Sequence, residues 1–471
     1  MSGIKFVKID FNTVPVPESG KAHVGIDVID GLMKMKVDTG ETLLIGGGGD
    51  STWIDTVMLR AKPTRDEGTA RTRDDSCYAA PNVEIIYDGD VINQFATVIF
   101  NFANERLNYR TFDASGALSG DYSIGTDILR SSLGWSSLTL AEPFATWRAV
   151  DSRGDPVARI AAGVRDDGMG NYVFGLFDYD AGADRFSCNT YIYVDSMLRG
   201  VGPIAMGSNV FISSWQAADF TEVLGIIGYA GESVTEIRRF QPKYGTADAT
   251  ALHSVIAKSS SDNVFYFLVE DARTDSKSYV IGFRYDGTDF KGDAFTSVEF
   301  NWGREGEGKP MRMAIAGDRI YVLCKNDFYE DLVYYVDVDG TGRLGSPVAM
   351  PLVAMPLVAM PSSKSTGLSN YASIAAAEKD GKAYIAISGK ATDAYTAPDL
   401  YLYEIDVETD AVLRCQYKTM PLTPGHGHLN MRFVNDGEDF KLLIPPATLD
   451  VTADITTTGH GRATGFLMKL F

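Results

Sequence analysis

Cysteine, histidine and long apolar runs are all scarce in this chain of 471 residues. The four cysteines, Cys77, Cys188, Cys324 and Cys415, are widely separated and follow no paired spacing, so we expect neither disulfides nor a zinc site. No window approaches the roughly 20 consecutive apolar residues that a membrane-spanning helix needs. The N-terminus also lacks the apolar core of a secretory signal. These absences predict a protein that is made in a cytoplasm and does not insert into a membrane.

Basic residues are outnumbered, with 43 Lys and Arg against 62 Asp and Glu, which gives a formal net charge of −19. Nucleic-acid binding requires clustered cations that displace counterions from phosphates, so we expect no nucleic-acid partner. Proline is sparse, with 18 residues against 47 glycines, while 45% of the chain is hydrophobic. This composition is typical of a folded protein with many short strands and tight turns.

The clearest strand signal lies between Met313 and Val348. Ile320, Val322 and Cys324 alternate with other residues in the period of two that a half-buried strand requires. Gly-Asp and Asp-Gly pairs at 317–318 and 339–340 mark tight hairpins. We interpret this segment as a four-stranded meander with strands at 313–316, 319–324, 332–338 and 343–348.

The second and third strands of this meander recur seven times along the chain. Copies of the third strand lie at 108–118, 173–186, 224–234, 279–290, 333–344, 401–412 and 465–471. The spacing of roughly 50 to 70 residues predicts an all-β fold, a β-propeller with seven blades of four antiparallel strands. The last copy has no fourth strand after it, and a ring removes an open edge by borrowing one. We therefore predict that Trp53 to Lys62 closes the final blade.

Two short stretches are unusual in composition, one rich in proline and the other made of consecutive glycines. Prolines recur every four or five positions between Pro347 and Pro361, which excludes one long central strand there. We predict the outer strand of the fifth blade followed by an extended excursion. The four glycines at 46–49 are not followed by the Lys-Ser/Thr pair of a phosphate loop, so they predict a flexible hinge at 46–50.

Residues 1–45 differ from the repeats and form a predicted N-terminal β-hairpin. Apolar residues alternate on both sides of an Asp-Gly turn at 30–31; they are Val24, Ile26, Val28, Met33, Met35 and Val37. A lone two-stranded hairpin is marginally stable, so its apolar face should be covered. The cover is the rest of the chain, sister subunits or another protein. The expected organisation is an attachment hairpin at 1–45, the hinge at 46–50 and the propeller at 51–471.

Histidines near the C-terminus are the only residues with metal-like spacing. His426 and His428 lie in PGHGHLN and His460 lies in TGHGR, so the three rings would converge on one predicted blade. Glycine-flanked histidines in loops more often only end strands, and we expect no metal and no cofactor. Asp337 to Gly342 begins like a calcium loop but has no distal carboxylate, so we interpret it as a turn.

Tryptophans are the candidate ligand-binding residues. Trp135, Trp147, Trp215 and Trp302 are able to act as sugar-stacking platforms, although most propeller aromatics pack between blades. We single out Trp215 and Trp302. The Ser-x-Asp-x-Gly-x-x-Trp box, the G-x-S-x-G elbow and the H-E-x-x-H helix are all missing, and we assign no catalytic residue.

The N-terminal stretch FVKIDFNTVPVPESGKAHVGIDVIDGLMKMKVDTGET resembles the leader of bacteriophage virion appendage proteins, the tail-fibre and head-fibre subunits. The shared features are a Pro-containing strand, a Gly-Lys step and a hairpin that ends near Asp-x-Gly. The resemblance implies a virion location, with the leader docked on capsid, portal or tail proteins and the following domain facing outward. The chain lacks the collagen-like or coiled-coil shaft of the usual fibre, while sister subunits in a homo-oligomer remain a possible cover for the hairpin.

Three functional hypotheses follow. The first is a non-enzymatic structural protein of a phage particle that docks through the six apolar hairpin residues and displays its propeller. The second is a carbohydrate-active propeller enzyme, a glycoside hydrolase or lyase, which would need paired carboxylates at the channel mouth. The third is a receptor-binding module that grips host-surface glycan without cleaving it.

Overall fold

The computed structural model describes the following residues, and every structural statement below concerns these ranges: 8–9, 15, 22–27, 33–37, 42–44, 57–61, 77–79, 84–101, 106–115, 118–125, 139–150, 154, 156–165, 172–180, 185–194, 204–206, 210–216, 222–230, 233–240, 243–244, 247–257, 264–271, 277–285, 290–301, 309–325, 331–350, 373–389, 399–419, 422–424, 431–437, 439–450 and 463–470. Within these ranges the regular structure is β-strand, and no helix there has the length and apolar character to cross a membrane.

The N-terminal region forms a four-stranded sheet. Its strands are β1 (Lys8–Ile9), β2 (Ala22–Asp27), β3 (Met33–Val37) and β4 (Thr42–Leu44). The predicted hairpin is the antiparallel pair β2–β3, while β1 runs parallel to β2 and β4 runs antiparallel to β3. The hairpin is therefore not a lone pair, because a strand covers each of its two edges. The sequence predicted only the two strands of the hairpin, because β1 and β4 are too short to give a periodic signal.

The chain then enters β5 (Val57–Ala61) and the sheets of a ring. Blade 1 contains β6 (Cys77–Ala79), β7 (Glu84–Asp88), β8 (Val91–Asn101), β9 (Arg106–Asp113) and β10 (Leu118–Gly125). Blade 2 contains β11 (Thr139–Val150), β12 (Pro156–Arg165), β13 (Tyr172–Asp180) and β14 (Arg185–Val194). Blade 3 contains β15 (Ile204–Met206), β16 (Val210–Gln216), β17 (Glu222–Ala230) and β18 (Ser233–Phe240).

Four more sheets complete the ring. Blade 4 contains β19 (Lys243–Tyr244), β20 (Ala247–Ala257), β21 (Val264–Asp271), β22 (Lys277–Tyr285) and β23 (Phe290–Asn301). Blade 5 contains β24 (Lys309–Ala316), β25 (Arg319–Lys325), β26 (Asp331–Val338) and β27 (Leu344–Ala349). Blade 6 contains β28 (Ser373–Lys379), β29 (Lys382–Gly389), β30 (Asp399–Asp406) and β31 (Val412–Thr419). Blade 7 contains β32 (Leu422–Pro424), β33 (Arg432–Asp436), β34 (Asp439–Asp450) and β35 (Ala463–Lys469).

The seven antiparallel meanders confirm the predicted seven-bladed β-propeller. Each repeated sequence segment falls on the second or third strand of its blade. The uniform four-strand count was wrong for three sheets. In blades 1 and 7 the first strand is split into two pieces, which pair with the two halves of one long second strand, and blade 4 gains the two-residue β19.

The ring closes through β5, as the sequence predicted. Strand β5 pairs antiparallel with β35, with Ala61 opposite Ala463 and Val57 opposite Leu467, and so serves as the fourth strand of blade 7. A turn in blade 7 also reaches blade 1, because the Gly437 N–H donates to the Asp90 carbonyl at 2.8 Å. Strands from the two ends of the propeller region thus meet, which leaves no open blade edge at the junction.

Alternation explains how one strand packs on two neighbouring blades. In β25, Ile320, Val322 and Cys324 belong to a buried cluster with blade 4, whereas Tyr321 and Leu323 belong to a buried cluster with blade 6. Successive side chains of a strand point to opposite faces, so both faces of this blade are buried. The predicted free thiol of Cys324 is fully buried and packs as a small apolar residue.

The proline repetition begins in β27, the outermost strand of blade 5. Pro347 lies opposite Val336 in the register of β26 and β27. A proline is tolerated in an outer strand because its missing N–H need not serve a further neighbour. The predicted outer strand is therefore present, and residues 351–361 lie outside the described residues.

Candidate functional site

The ring has two unlike faces, which follow from the meander. Connections between the first and second strands and between the third and fourth strands lie on one side, which we call the turn face. The remaining connections lie on the opposite side, which we call the loop face. In blades 5 and 6 the turn-face connections contain two to five residues. The loop-face connections contain five residues between β25 and β26, nine between β29 and β30, and 23 between β27 and β28. Binding residues concentrate on such longer loops.

A charged cluster joins blades 5 and 6 at the turn face. Arg319, the first residue of β25, forms an ion pair with Asp410 of blade 6 and a second ion pair with Asp337 at 2.8 Å. The Tyr335 hydroxyl donates to the other Asp410 oxygen at 2.9 Å, and the Arg319 guanidinium lies 4.3 Å from the centre of the Tyr335 ring. We call these residues the blade 5–6 latch.

Burial and charge shift the acid–base behaviour of this latch. Burial disfavours a charged guanidinium, but hydrogen bonds and opposite charges from Asp410 and Asp337 prevail and raise the pKa of Arg319. Burial also raises the pKa of Tyr321 to about 12, despite the opposing effect of nearby Arg319. At neutral pH Arg319 is therefore a permanent cation, and the neighbouring Tyr321 is a neutral phenol.

Neighbouring blades are joined by similar contacts at the same face. Between blades 4 and 5, Arg284 donates to the Thr341 carbonyl at 2.7 Å, and the Tyr266 hydroxyl donates to the Gly342 carbonyl at 2.8 Å. Between blades 7 and 1, the Ile92 N–H donates to an Asp436 oxygen at 2.8 Å. Polar contacts at this face thus join blade 4 to blade 5, blade 5 to blade 6 and blade 7 to blade 1.

Aspartates also fix the turns themselves. Asp339 accepts hydrogen bonds from the Thr341 N–H, the Thr341 hydroxyl and the Arg343 N–H at 2.7 to 2.9 Å. These bonds lower the pKa of Asp339, the hydroxyl of Thr341 most of all. Asp406 binds Thr409 in the same way. The segment that begins like a calcium loop is therefore a carboxylate-capped turn. In the described part of the chain no group of three or more His, Cys, Asp or Glu residues is arranged to hold a metal ion.

The tryptophans and histidines singled out from the sequence lie at or next to the strand ends of the loop face. Trp215 is the penultimate residue of β16, a second strand that ends at the loop face. Trp302 lies outside the described residues, directly after β23 ends at Asn301. His426, His428 and His460 also lie outside them; the first two fall between β32 and β33, and the third falls between β34 and β35.

The hairpin candidates lie mostly in the N-terminal sheet. Val24 and Ile26 are in β2, and Met33, Met35 and Val37 are in β3, while Val28 lies outside the described residues. The register sets Val24 opposite Met35, Ile26 opposite Met33 and Ala22 opposite Val37. The apolar positions of the two strands therefore coincide, as alternation in the sequence predicted.

No protein-family model matches the chain, and no curated protein resembles it in sequence. Solved propeller structures are similar in shape. The GH93 α-L-arabinofuranosidase of Fusarium graminearum has 9% identity and a TM-score of 0.44, over 88% of this chain and 97% of that one. Kluyveromyces lactis Hsv2 has 8% identity and a TM-score of 0.40, over 84% and 98%. The propeller domain of the Trilobed protease from Pyrococcus furiosus, described as having an open velcro topology, has 12% identity and a TM-score of 0.38, over 84% and 98%.

The sequence did not reveal the latch residues. Arg319 and Asp410 are 91 positions apart, and single basic and acidic residues near turns are too common to pair. One signal was available, since an acidic residue recurs where the third strand of a blade ends, at Asp113, Asp339 and Asp406. That recurrence indicates the turn but not the partner blade.

Proposed function

We propose that this chain is a structural protein of a bacteriophage particle, in which the N-terminal sheet docks on other virion proteins and the propeller is displayed. The observation that supports it is that β5 closes the ring, whereas strands β1 to β4 form a separate sheet. The ring is completed by β5, and none of the described strands β1 to β4 pairs with a blade. The β1–β4 sheet is thus free of any part in ring closure and is available for attachment.

Docking is proposed to use the apolar positions shared by β2 and β3. Val24 and Met35 are opposite each other, as are Ile26 and Met33, so one set of apolar positions runs across the hairpin. Lys34 and Lys36 alternate with them in β3. Burial of such a face against capsid, portal or tail proteins would supply the hydrophobic driving force for attachment.

Truncation tests the proposal, and β5 provides a matched control. Removal of residues 1–45 should leave a folded ring that no longer joins phage particles. Removal of residues 1–62 also takes β5 away and should lower ring stability, because the outer edge of β35 is then exposed. Particle incorporation is measured by immunoblot of purified particles, and folding by thermal unfolding. Normal incorporation of the shorter truncation would contradict the proposal.

Point variants separate docking from folding. Met35→Glu should abolish incorporation, whereas Lys34→Glu, its neighbour on the alternate positions of β3, should retain most of it. Charge on an apolar docking face is costly because the charge loses its water. Equal incorporation of the two variants would argue against the proposed face.

A second candidate function is a carbohydrate-active enzyme, a glycoside hydrolase or lyase. The observation that favours it is the asymmetry of the ring, since longer connections collect on one face of a rigid scaffold. The similar solved structures named above include an arabinofuranosidase and a protease domain, and none of the three is described as a virion protein. Incubation with a panel of glycans, arabinan included, tests it. Product release favours the enzyme, whereas binding without cleavage favours a displayed receptor-binding module.

A further inference from the structure

We propose that the inner hairpins of the turn face form a docking surface for a protein segment rich in lysine and arginine. These hairpins connect the first and second strands of blades 1, 5, 6 and 7. We call this surface the acidic collar; it comprises residues 87–92, 316–319, 378–382, 435–437 and 439–441. The inference concerns the propeller alone and goes beyond the role proposed for the N-terminal sheet.

The four hairpins of the collar follow one another around the centre of the ring. Strand β28 lies next to β24 on one side and next to β33 on the other, so their hairpins are neighbours. A Cβ at Gly317 would lie 1.8 Å from Glu378 Oε2, so the Glu378 carboxylate rests against the blade 5 hairpin. Across the seam of blades 6 and 7, Lys379 Nζ lies 5.6 Å from the centre of the Phe440 ring. The backbone bond between blades 7 and 1 described above makes the collar continuous over four blades.

The fully exposed charges of the collar are all negative. Five exposed carboxylates lie in its described residues; they are Asp88, Asp90, Asp318, Glu378 and Asp380. The cations of the same hairpins are partly buried and already engaged. Arg319 pairs with Asp410 and Asp337, Lys382 with Glu404, and Lys441 with Asp436. The collar therefore presents a negative potential that attracts a cationic partner.

Two exposed apolar side chains lie beside these charges, at the seam of blades 7 and 1. Tyr87 is 45% exposed and Val91 is 55% exposed, and the two flank the turn of the blade 1 hairpin. A Cβ at Gly437 would lie 3.6 Å from Val91 Cγ2, so Val91 reaches blade 7. Burial raises the pKa of Tyr87, Arg432 of blade 7 opposes this and Asp436 adds to it, so this ring also lies near blade 7. An apolar centre with an aromatic residue and a charged rim is the usual anatomy of a protein interface.

The charge of the collar and its distribution select a basic protein segment as the occupant. Exposed carboxylates repel nucleic acids and anionic lipid surfaces. The five carboxylates come from three separate hairpins, so their charge is spread over the surface rather than gathered around one point. A segment with several lysine or arginine side chains matches that spread, and an apolar side chain among them would cover Tyr87 and Val91. Space is available above the hairpins, because a Cβ at Gly89 or Gly381 would meet nothing within 4 Å.

The charge of the collar is tested on the isolated full-length chain with a fluorescein-labelled peptide of about six lysine and arginine residues around a single leucine. Fluorescence anisotropy measures the Kd, which should rise with salt concentration. Asp380→Asn and Glu378→Gln should each weaken binding about two- to fivefold. Asparagine tolerates the φ of +55° at position 380, so the hairpin is retained. Glu299→Gln is the control, because it removes the same charge near the loop-face end of β23 and should leave the Kd unchanged.

The apolar part of the collar is tested with the same peptide. Val91→Ser should weaken binding about two- to fivefold, whereas Leu413→Ser, an equally exposed position on the outermost strand of blade 6, should not change it. Serine in place of the peptide's leucine should weaken binding to the unaltered chain by a similar factor and make little further difference to Val91→Ser. Thermal unfolding verifies that each variant is folded.

Three results would overturn the inference. They are no binding of the peptide by the unaltered chain at low salt, equal weakening by Asp380→Asn and Glu299→Gln, and equal effects of Val91→Ser and Leu413→Ser. The second would mean that the peptide responds only to the overall negative charge of the chain. These measurements involve no phage particle, so their outcome is separate from that of the truncation experiment.

Discussion

Loss of the Asp410 carboxylate should open the seam between blades 5 and 6. One oxygen of Asp410 pairs with Arg319 and the other accepts from the Tyr335 hydroxyl. Hydrogen bonds that involve a charged group contribute about 1.5–3 kcal/mol each. The Asp410 side chain is 34% exposed and that of Arg319 is 16% exposed, so solvent screening favours the lower end. We expect Asp410→Asn, which loses the charge, to lower the free energy of unfolding by about 1–2 kcal/mol.

Asp410→Ala should cost more, about 3–4 kcal/mol, for a backbone reason as well. Asp410 has a φ of +57°, a left-handed conformation that asparagine tolerates and alanine does not. Urea unfolding followed by tryptophan fluorescence measures both variants. Asp339→Ala is the control, because the Asp339 carboxylate accepts hydrogen bonds from Thr341 and Arg343 of its own exposed turn. If Asp339→Ala were as destabilising as Asp410→Asn, the latch would not be holding the two blades together.

Three further predictions concern the ring. Tyr321 holds its proton more tightly in the folded chain, because its pKa is raised from 10.0 to about 12. The contribution of about 3 kcal/mol to the free energy of unfolding is complete below pH 10 and is lost between pH 10 and 12. If the free energy of unfolding depends on pH as steeply in Tyr321→Phe over this range, the prediction is refuted. Gly317→Ala should destabilise the ring by about 1–2 kcal/mol, because φ is +55° and the new methyl would meet Glu378 Oε2 at 1.8 Å. Gly340→Ala is the control, since a methyl group there would meet nothing within 4 Å and thermal unfolding should be unchanged. Burial raises the pKa of the fully buried Cys324 thiol, so maleimide should modify this residue only after unfolding, as read by peptide mass spectrometry. Rapid modification of Cys324 itself in the native chain would contradict its position in the core.

Much of the fold was predictable because the signal is local and repeated. Alternation at Ile320, Val322 and Cys324 marks a strand without knowledge of its neighbours, and the same pattern in seven copies marks a ring. The missing last strand led to Trp53–Lys62, and β5 is found inside that segment. Extra strands were missed because β1, β6, β19 and β32 contain two or three residues, too few for a period to be recognised.

The sequence alone indicated most of the strands, the number of blades and the segment that closes the ring, because alternation and turn residues are local signals and the repeat count leaves the last blade one strand short. Only the tertiary structure decided which charges meet and which face each connection occupies. The Arg319–Asp410 contact spans two blades, and the side at which Val57 meets the ring depends on the antiparallel pairing of β5 with β35. Such contacts join residues far apart in sequence, and their partners depend on the closed geometry of the ring rather than on any local pattern.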